Sequence, residues 1–312
     1  MRFAIISDIH GNLPALDAVL EDAKNNNIDS FIFVGDYCLS NPYPDECIQR
    51  MRDLDKKYII RGNEEKYLEN LIDKDQTMWT DGQMQISYYC YRAISTENLD
   101  FLLSMPNTLE LSFNDVNLHV AHSSAEFIDD CEHKEWSTSK VAKRYANRIV
   151  TSDSFRSDIH NYFEGNDRFQ QIFSELEQGV YIFGHSHIQW SYKSKDGKTI
   201  LINPGSCGLP LDGVIGSIPY TILDISDAEN IIVEEKRIPF DMEVYIDCLI
   251  KSDQFVEANV WSNIIIQELR TAREHLFYFL RFVEKYADKI DDKRRPFMLD
   301  TWEKAYELWI KK

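Results

Sequence analysis

The chain is predicted to be an α/β protein with a helical carboxy-terminal appendage, and three observations predict it. Short apolar runs alternate with amphipathic helical stretches through the first third. Strand-type runs return in the second half, and from residue 241 onward the apolar residues recur only at helical spacing.

Residues 3–6 form an Ile-rich apolar run, the first strand. Residues 15–23 follow with Leu16, Val19, Leu20 and Ala23 on one helical face. A second strand is expected at 31–34, a second helix at 47–54 and a third strand at 58–60. Such alternation implies a parallel sheet with helices on its faces. Residues 68–105 read as helical and aromatic-rich, and 116–121 as a strand. The segment 123–179 is polar, charged and helical in pattern, an insertion expected to pack over or beside whatever site the strands carry. Strands are expected at 180–183, 199–202, 220–225 and 231–238, with a turn at Lys195-Asp196-Gly197. Beyond, Trp261, Ile265, Leu269, Ala272, Leu276, Leu280 and Val283 recur every three or four residues. Residues 276–283 are apolar nearly all round, which places them inside the chain or in a homo-oligomer contact. Pro296 interrupts, and Trp302, Ala305 and Trp309 mark a last helix. The expected division is a domain over 1–240, with its insertion at about 123–179, and a helical extension over 241–312 packed on it.

At 312 residues, with 44% hydrophobic and 28% charged residues, the chain has the composition of a globular protein. No apolar run approaches a bilayer's thickness, and the densest is broken by Arg281. The amino terminus reads as a strand and not as a signal peptide, so the expected compartment is the cytoplasm. Six cysteines are scattered without a CxxC pair, which excludes a disulfide framework or a zinc knuckle and leaves reduced, mostly buried thiols. Acidic residues outnumber basic ones 52 to 34, for a net charge of −18. Such a surface repels polyanions, and no Lys/Arg cluster offers nucleic acid a binding stripe. Any attraction for phosphate must be local and come from something other than basic side chains. That points to metal ions.

Five short motifs begin where apolar strands end: Ser7-Asp8-Ile9-His10-Gly11-Asn12, Gly35-Asp36, Arg61-Gly62-Asn63-Glu64, Ala121-His122-Ser123 and Gly184-His185-Ser186-His187. In open α/β sheets, ligands bind beyond the carboxyl ends of the strands, so these residues can converge. Two carboxylates, four imidazoles and one amide oxygen make an N/O ligand set without thiolate, which suits Mn, Fe, Zn, Co or Ni better than Ca or Mg. Asp-x-His and His-x-His put two donors on one side of an extended segment. Each motif alone is noise. Five in order, each after a strand, are costly to explain as packing, because imidazoles and carboxylates do not bury without partners.

With these motifs the chain resembles the calcineurin-like metallophosphoesterase superfamily, and within it the small bacterial phosphodiesterase-like branch. Gly35-Asp36 followed by Asn41-Pro42-Tyr43-Pro44-Asp45-Glu46, and Asn203-Pro204-Gly205-Ser206 after the last histidine pair, carry the same resemblance. It covers about residues 1–240, thinly over 123–179. It implies a four-layer αββα sandwich, two mixed β-sheets face to face with helices outside. It also implies two divalent ions, manganese first among them. Asp8, His10, Asp36 and His187 would hold one and Asp36, Asn63, His122 and His185 the other, with Asp36 bridging. The implied activity is hydrolysis of a phosphate ester by a hydroxide held between the ions, on a small phosphorylated molecule such as a nucleotide or dinucleoside polyphosphate. The rival is a metal-binding scaffold of the same fold without catalysis.

Two positions depart from the family pattern. Glu64 stands where relatives carry a histidine thought to protonate the leaving group. It can do so only if its surroundings raise its pKa; otherwise it is a solvated loop acid. Ser123 stands where a glycine usually follows the histidine. Asn12 either faces substrate or caps the helix that starts near Leu13. His119 should face away from His122; His133 and His160 sit in the insertion, where either could reach substrate though a surface place is expected, and His275 should lie far from the site.

Overall fold

The computed structural model describes residues 1–311. Ten strands are present: β1 (Arg2–Ile6), β2 (Ser30–Phe33), β3 (Lys57–Ile59), β4 (Thr108–Phe113), β5 (Val116–Ala121), β6 (Gly179–Ile182), β7 (Gln189–Lys193), β8 (Thr199–Pro204), β9 (Ser217–Asp227) and β10 (Asn230–Pro239). They form two five-stranded sheets, ordered β10-β9-β1-β2-β3 and β4-β5-β6-β8-β7. β1, β2 and β3 run parallel, and β9 and β10 add antiparallel strands at one side. In the second sheet β5, β6 and β8 run parallel, with β4 and β7 antiparallel at the two edges. Both sheets are therefore mixed.

The period of two along each strand explains the layering. Phe3 and Ile5 of β1 point into an apolar layer shared with Val180 and Ile182 of β6 and with Ile200 and Ile202 of β8. Ala4 and Ile6 point the other way, onto Leu16, Val19 and Ala23 of the helix Leu13–Asn25 and onto Ile48 and Met51 of the helix Pro44–Arg52. On the far side, Tyr181, Trp190 and Leu201 pack against Phe155, Ile159, Phe163 and Phe169 of the insertion helices Ser152–Glu164 and Asp167–Glu175. The result is the helix–sheet–sheet–helix sandwich. Buried on both faces, the central strands read as continuous apolar runs.

β4 and β7 were not expected. Both are edge strands. β4 alternates exposed and half-buried residues, and β7 carries Gln189 and Ser191 within it, so neither presents an unbroken apolar run.

The carboxy-terminal pattern is also not one helix. Asn259–Thr271 ends at Ala272, whose φ of 48° lies in the left-handed region, and a new helix runs Leu276–Lys289. Glu268 fixes the break, because its carboxylate accepts hydrogen bonds from the backbone N–H groups of His275 and Leu276, both at 2.7 Å. Phe279 and Val283 of the apolar stretch are buried against Trp302 and Ala305 of the helix Leu299–Trp309, while Phe277 is exposed. No helix among the described residues is long and apolar enough to cross a membrane.

Candidate metal centre and cleft

The motif residues follow the strand ends: Asp8 and His10 after β1, Asp36 after β2, Asn63 and Glu64 after β3, His122 after β5, His185 and His187 after β6. Here the backbone leaves ordinary conformations. Asp8, His10, Asp36, His185 and His187 all have φ between 51° and 68°. A non-glycine residue in that region costs on the order of 1–3 kcal/mol, and persists where the surroundings enforce it. Hydrogen bonds between the loops do the enforcing. Asp8 N–H donates to Gly35 O at 3.0 Å, His10 N–H to Asp36 O at 3.0 Å, and Gly184 N–H to His122 O at 2.9 Å. Glycine is required where the loops touch. A Cβ on Gly35, at φ 97°, would meet His122 Nδ1 at 2.6 Å, and one on Gly184 would overlap Ser7 Oγ.

Three overlapping sets of ligand atoms converge, Asp8 with His10 and His187, Asp36 with His122 and His185, and His10 with Asp36 and Glu64. Within each set the atoms lie within 4.8 Å of one another. Asn63 joins the second through its Oδ1, 3.1 Å from His122 Nε2, which is also 3.2 Å from Asp36 Oδ2. In the first, His10 Nε2 and His187 Nε2 approach to 3.0 Å, and His187 Nε2 lies 3.6 Å from Asp8 Oδ1.

Outer partners decide which ring nitrogen faces inward. His122 Nδ1 donates to Val34 O at 2.6 Å, and His187 Nδ1 donates to Leu209 O at 2.7 Å. His10 Nδ1 pairs with Glu64 Oε2 at 2.8 Å. In all three rings Nε2 is left to point at the centre, the arrangement by which proteins orient histidines toward a metal ion.

The electrostatics fit a cation. Burial holds His185 at about 4 and His187 at about 3, each reinforced by a neighbouring histidine, so both rings are neutral lone-pair donors. Burial works against charging His10 and His122 too, but carboxylates outweigh it, Glu64 foremost for His10 and Asp36 for His122, and bring both to about 10. The negative potential that holds protons on those rings is a potential that dications would neutralise.

Glu64 departs from one of the two readings of it. Its side chain is 18% exposed and paired to His10, so it is not a solvated loop acid, and it also lines the cavity. Burial raises its pKa to about 7 against the opposing pull of His10. Asn12 takes the capping role. Fully buried, it accepts from Ala15 N–H at 3.2 Å and donates to Gly208 O at 2.9 Å, so its amide is committed to backbone and not to substrate. Ser123 has no left-handed φ, so a glycine is not needed there. His119 faces away, stacked on Tyr181 with ring centroids 4.5 Å apart. His160 bonds Ser191 O at 2.7 Å, and His275 bonds Thr271 Oγ1 at 3.0 Å.

His133 is the exception among the insertion histidines. Its ring lies 5.1 Å from that of His185, its Nδ1 is buried without a partner, and it lines the central cavity. Sequence reasoning also missed two buried acids. Glu65 accepts from the backbone N–H groups of Asp36, Tyr37 and Gly62 at 3.1, 2.8 and 2.7 Å, tying the second loop to the third. Glu132, fully buried, accepts from Ser186 Oγ at 2.6 Å and Trp190 Nε1 at 2.7 Å, and so steadies the turn between His185 and His187. Asn203 and Ser206 hold the same loops, Asn203 through Gly184 O at 3.0 Å and Ser206 through Asp8 O at 2.7 Å.

Above these groups lies a cavity of about 280 Å³. His10, Glu64, His133, His185 and His187 form its polar floor, and Leu209, Leu211, Ile265 and Leu276 are among its other walls. Ile265 and Leu276 come from the carboxy-terminal helices.

The fold has solved counterparts. A metallophosphoesterase from Sphaerobacter thermophilus superposes with a TM-score of 0.58 at 23% identity, covering 87% of this chain and 99% of that one. A hypothetical protein from Pyrococcus horikoshii gives 0.59 at 17%, covering 88% and 99%. By sequence, an uncharacterized protein of Methanocaldococcus jannaschii is 28% identical over 260 residues, 80% of this chain and 92% of that protein. Residues 1–228 match the calcineurin-like phosphoesterase superfamily domain, a span that includes every strand-end motif and all of β1 to β9. The chain belongs to the calcineurin-like phosphoesterase superfamily.

Proposed function

We propose that this protein hydrolyses phosphate esters of small molecules with the help of two divalent cations, manganese being the first to test. Asp8, His10, Asp36 and His187 would hold one ion, and Asp36, Asn63, His122 and His185 the other. The observation that carries this reading is the pair of adjacent ligand clusters at one end of the sheets. When bound, the ions supply Lewis acidity toward phosphoryl oxygens and lower the pKa of water to near neutrality.

The chain's own groups set the rest. Glu64, Val34 O and Leu209 O hold the imidazoles in register through their Nδ1 atoms. His133 lines the cavity, so its ring would stand beside a bound phosphate ester. Among the described residues the cavity lining contains no Lys or Arg, so the ions would supply the positive charge that meets the anion, with hydroxyls such as those of Ser40 and Ser137 as hydrogen-bond donors. This agrees with a net charge of −18, which leaves attraction to the centre itself.

The test is hydrolysis of bis-p-nitrophenyl phosphate and p-nitrophenyl phosphate with added manganese, beside Asp36→Asn. Cleavage of at least one ester, falling by about a hundredfold or more in the variant, is expected. A metal-loaded wild type that binds neither ester, or a variant as active as the wild type, contradicts the proposal.

A further inference from the structure

A second cavity, of about 250 Å³, adjoins the first, and Ser40, Glu64 and Leu276 stand in the walls of both. Asn63 lines it too, so an ester held at the metal centre faces two openings. Most of the new walls are apolar or aromatic, Leu39, Tyr67, Met84, Ile86, Trp261 and Leu280, with Gln83 and Ser87 as further polar side chains. Trp261 donates its Nε1–H to Gln83 O at 2.9 Å, which satisfies its polar atom and leaves the rest of the indole as apolar surface. Tyr67, 47% exposed, stands one helical turn beyond Asn63 on the helix Glu64–Glu69. No Lys or Arg lines this cavity, and its acidic residue is Glu64. A second phosphate would find no cation there, whereas a flat uncharged ring would bury its faces against side chains of matching character. Trp261, Leu276 and Leu280 belong to the carboxy-terminal helices, beyond residue 228 where the family match ends.

Resting on the reading of the centre as a phosphate-ester site, we propose that this second cavity is a subsite for one uncharged aromatic group carried by the ester. The substrates are then phosphate esters bearing an aryl-sized apolar substituent, and the carboxy-terminal helices select them.

Calorimetric binding of methylphosphonate and phenylphosphonate to the manganese-loaded protein tests this without turnover. Phenylphosphonate is expected to bind about tenfold more tightly, a difference typical of burying one aromatic ring partway. Tyr67→Ala and Leu280→Ala should each cut that ratio at least about threefold, and Tyr67→Phe should restore it, with manganese content and melting temperature as controls for folding. Tyr67 is exposed enough that its variant folds even should Leu280→Ala not. Equal affinity for the two phosphonates, or an unchanged ratio in Tyr67→Ala, overturns the subsite alone. Binding of neither phosphonate overturns the subsite and the phosphate-ester reading together.

Discussion

Glu64 shows how one side chain changes meaning between sequence and structure. Read in line, it occupies the place of a proton donor; in space, its carboxylate meets His10 Nδ1 at 2.8 Å. A positioning residue of this kind is expected to act through metal affinity. Glu64→Ala should weaken manganese binding by about 10- to 100-fold, and excess manganese should restore turnover. Loss of kcat at saturating manganese with unchanged metal content would instead make Glu64 the proton donor. His133 gives the complementary case. It lines the cavity and packs edge-on against His185 without belonging to any ligand cluster, so His133→Ala should leave metal content intact and raise KM about tenfold, as loss of one polar contact to a charged group would. An unchanged KM would remove it from the cleft's chemistry.

At the scale of elements, the candidate ligand loops were legible because four of the five join a strand end to a glycine and a donor, and the fifth sets His122 directly after β5. The side chains that hold those loops were not. Glu65 and Glu132 lie in sequence that any solvated helix could have, and only the fold turns them inward onto Gly62 and Ser186. His133 was hidden for the same reason, since nothing in the insertion's pattern says which face lies over the second sheet. The break at Ala272 was masked by apolar spacing that stays in phase across it. Glu268, which caps the following helix, is 1% exposed; burial and then Glu274 hold its pKa well above the ordinary carboxylate range. An acid with a raised folded-state pKa favours folding at low pH and loses that contribution as pH rises through the folded value. Glu268→Gln keeps an acceptor for the two N–H groups without the charge. Its melting temperature relative to wild type should therefore climb with pH, as a thermal scan from pH 5 to about 9 would read. Glu268→Leu, which leaves two N–H groups uncapped, should cost about 1–3 kcal/mol at the acid end of that scan, where Glu268 is uncharged.

For the whole molecule, alternating apolar runs sufficed for two sheets with helices outside, because central strands buried on both faces announce themselves. Edge strands did not. What the alternation could not convey is that the carboxy-terminal helices contribute to both cavities beside the centre, so that residues more than two hundred positions apart in the chain, such as Ser40 and Leu276, line the same cavities. The same arrangement concentrates Asp8, Asp36 and Glu64 at one point of a chain already carrying −18. Ions bound there stabilise the folded state by mass action, about 2.7 kcal/mol at a hundredfold excess over Kd. Stripping them with a chelator should lower the melting temperature by several degrees, about 1.5 °C per kcal/mol in a chain of this size, and manganese should restore it. An unchanged melting curve would mean that no ion couples to folding.

The most direct measurement is the number of metal ions per chain after dialysis against micromolar manganese, in the wild type and in Asp36→Asn. Two are expected in the wild type and no more than one in the variant, because Asp36 is proposed to bridge both ions. A wild type that holds none, or a variant that still holds two, would contradict it.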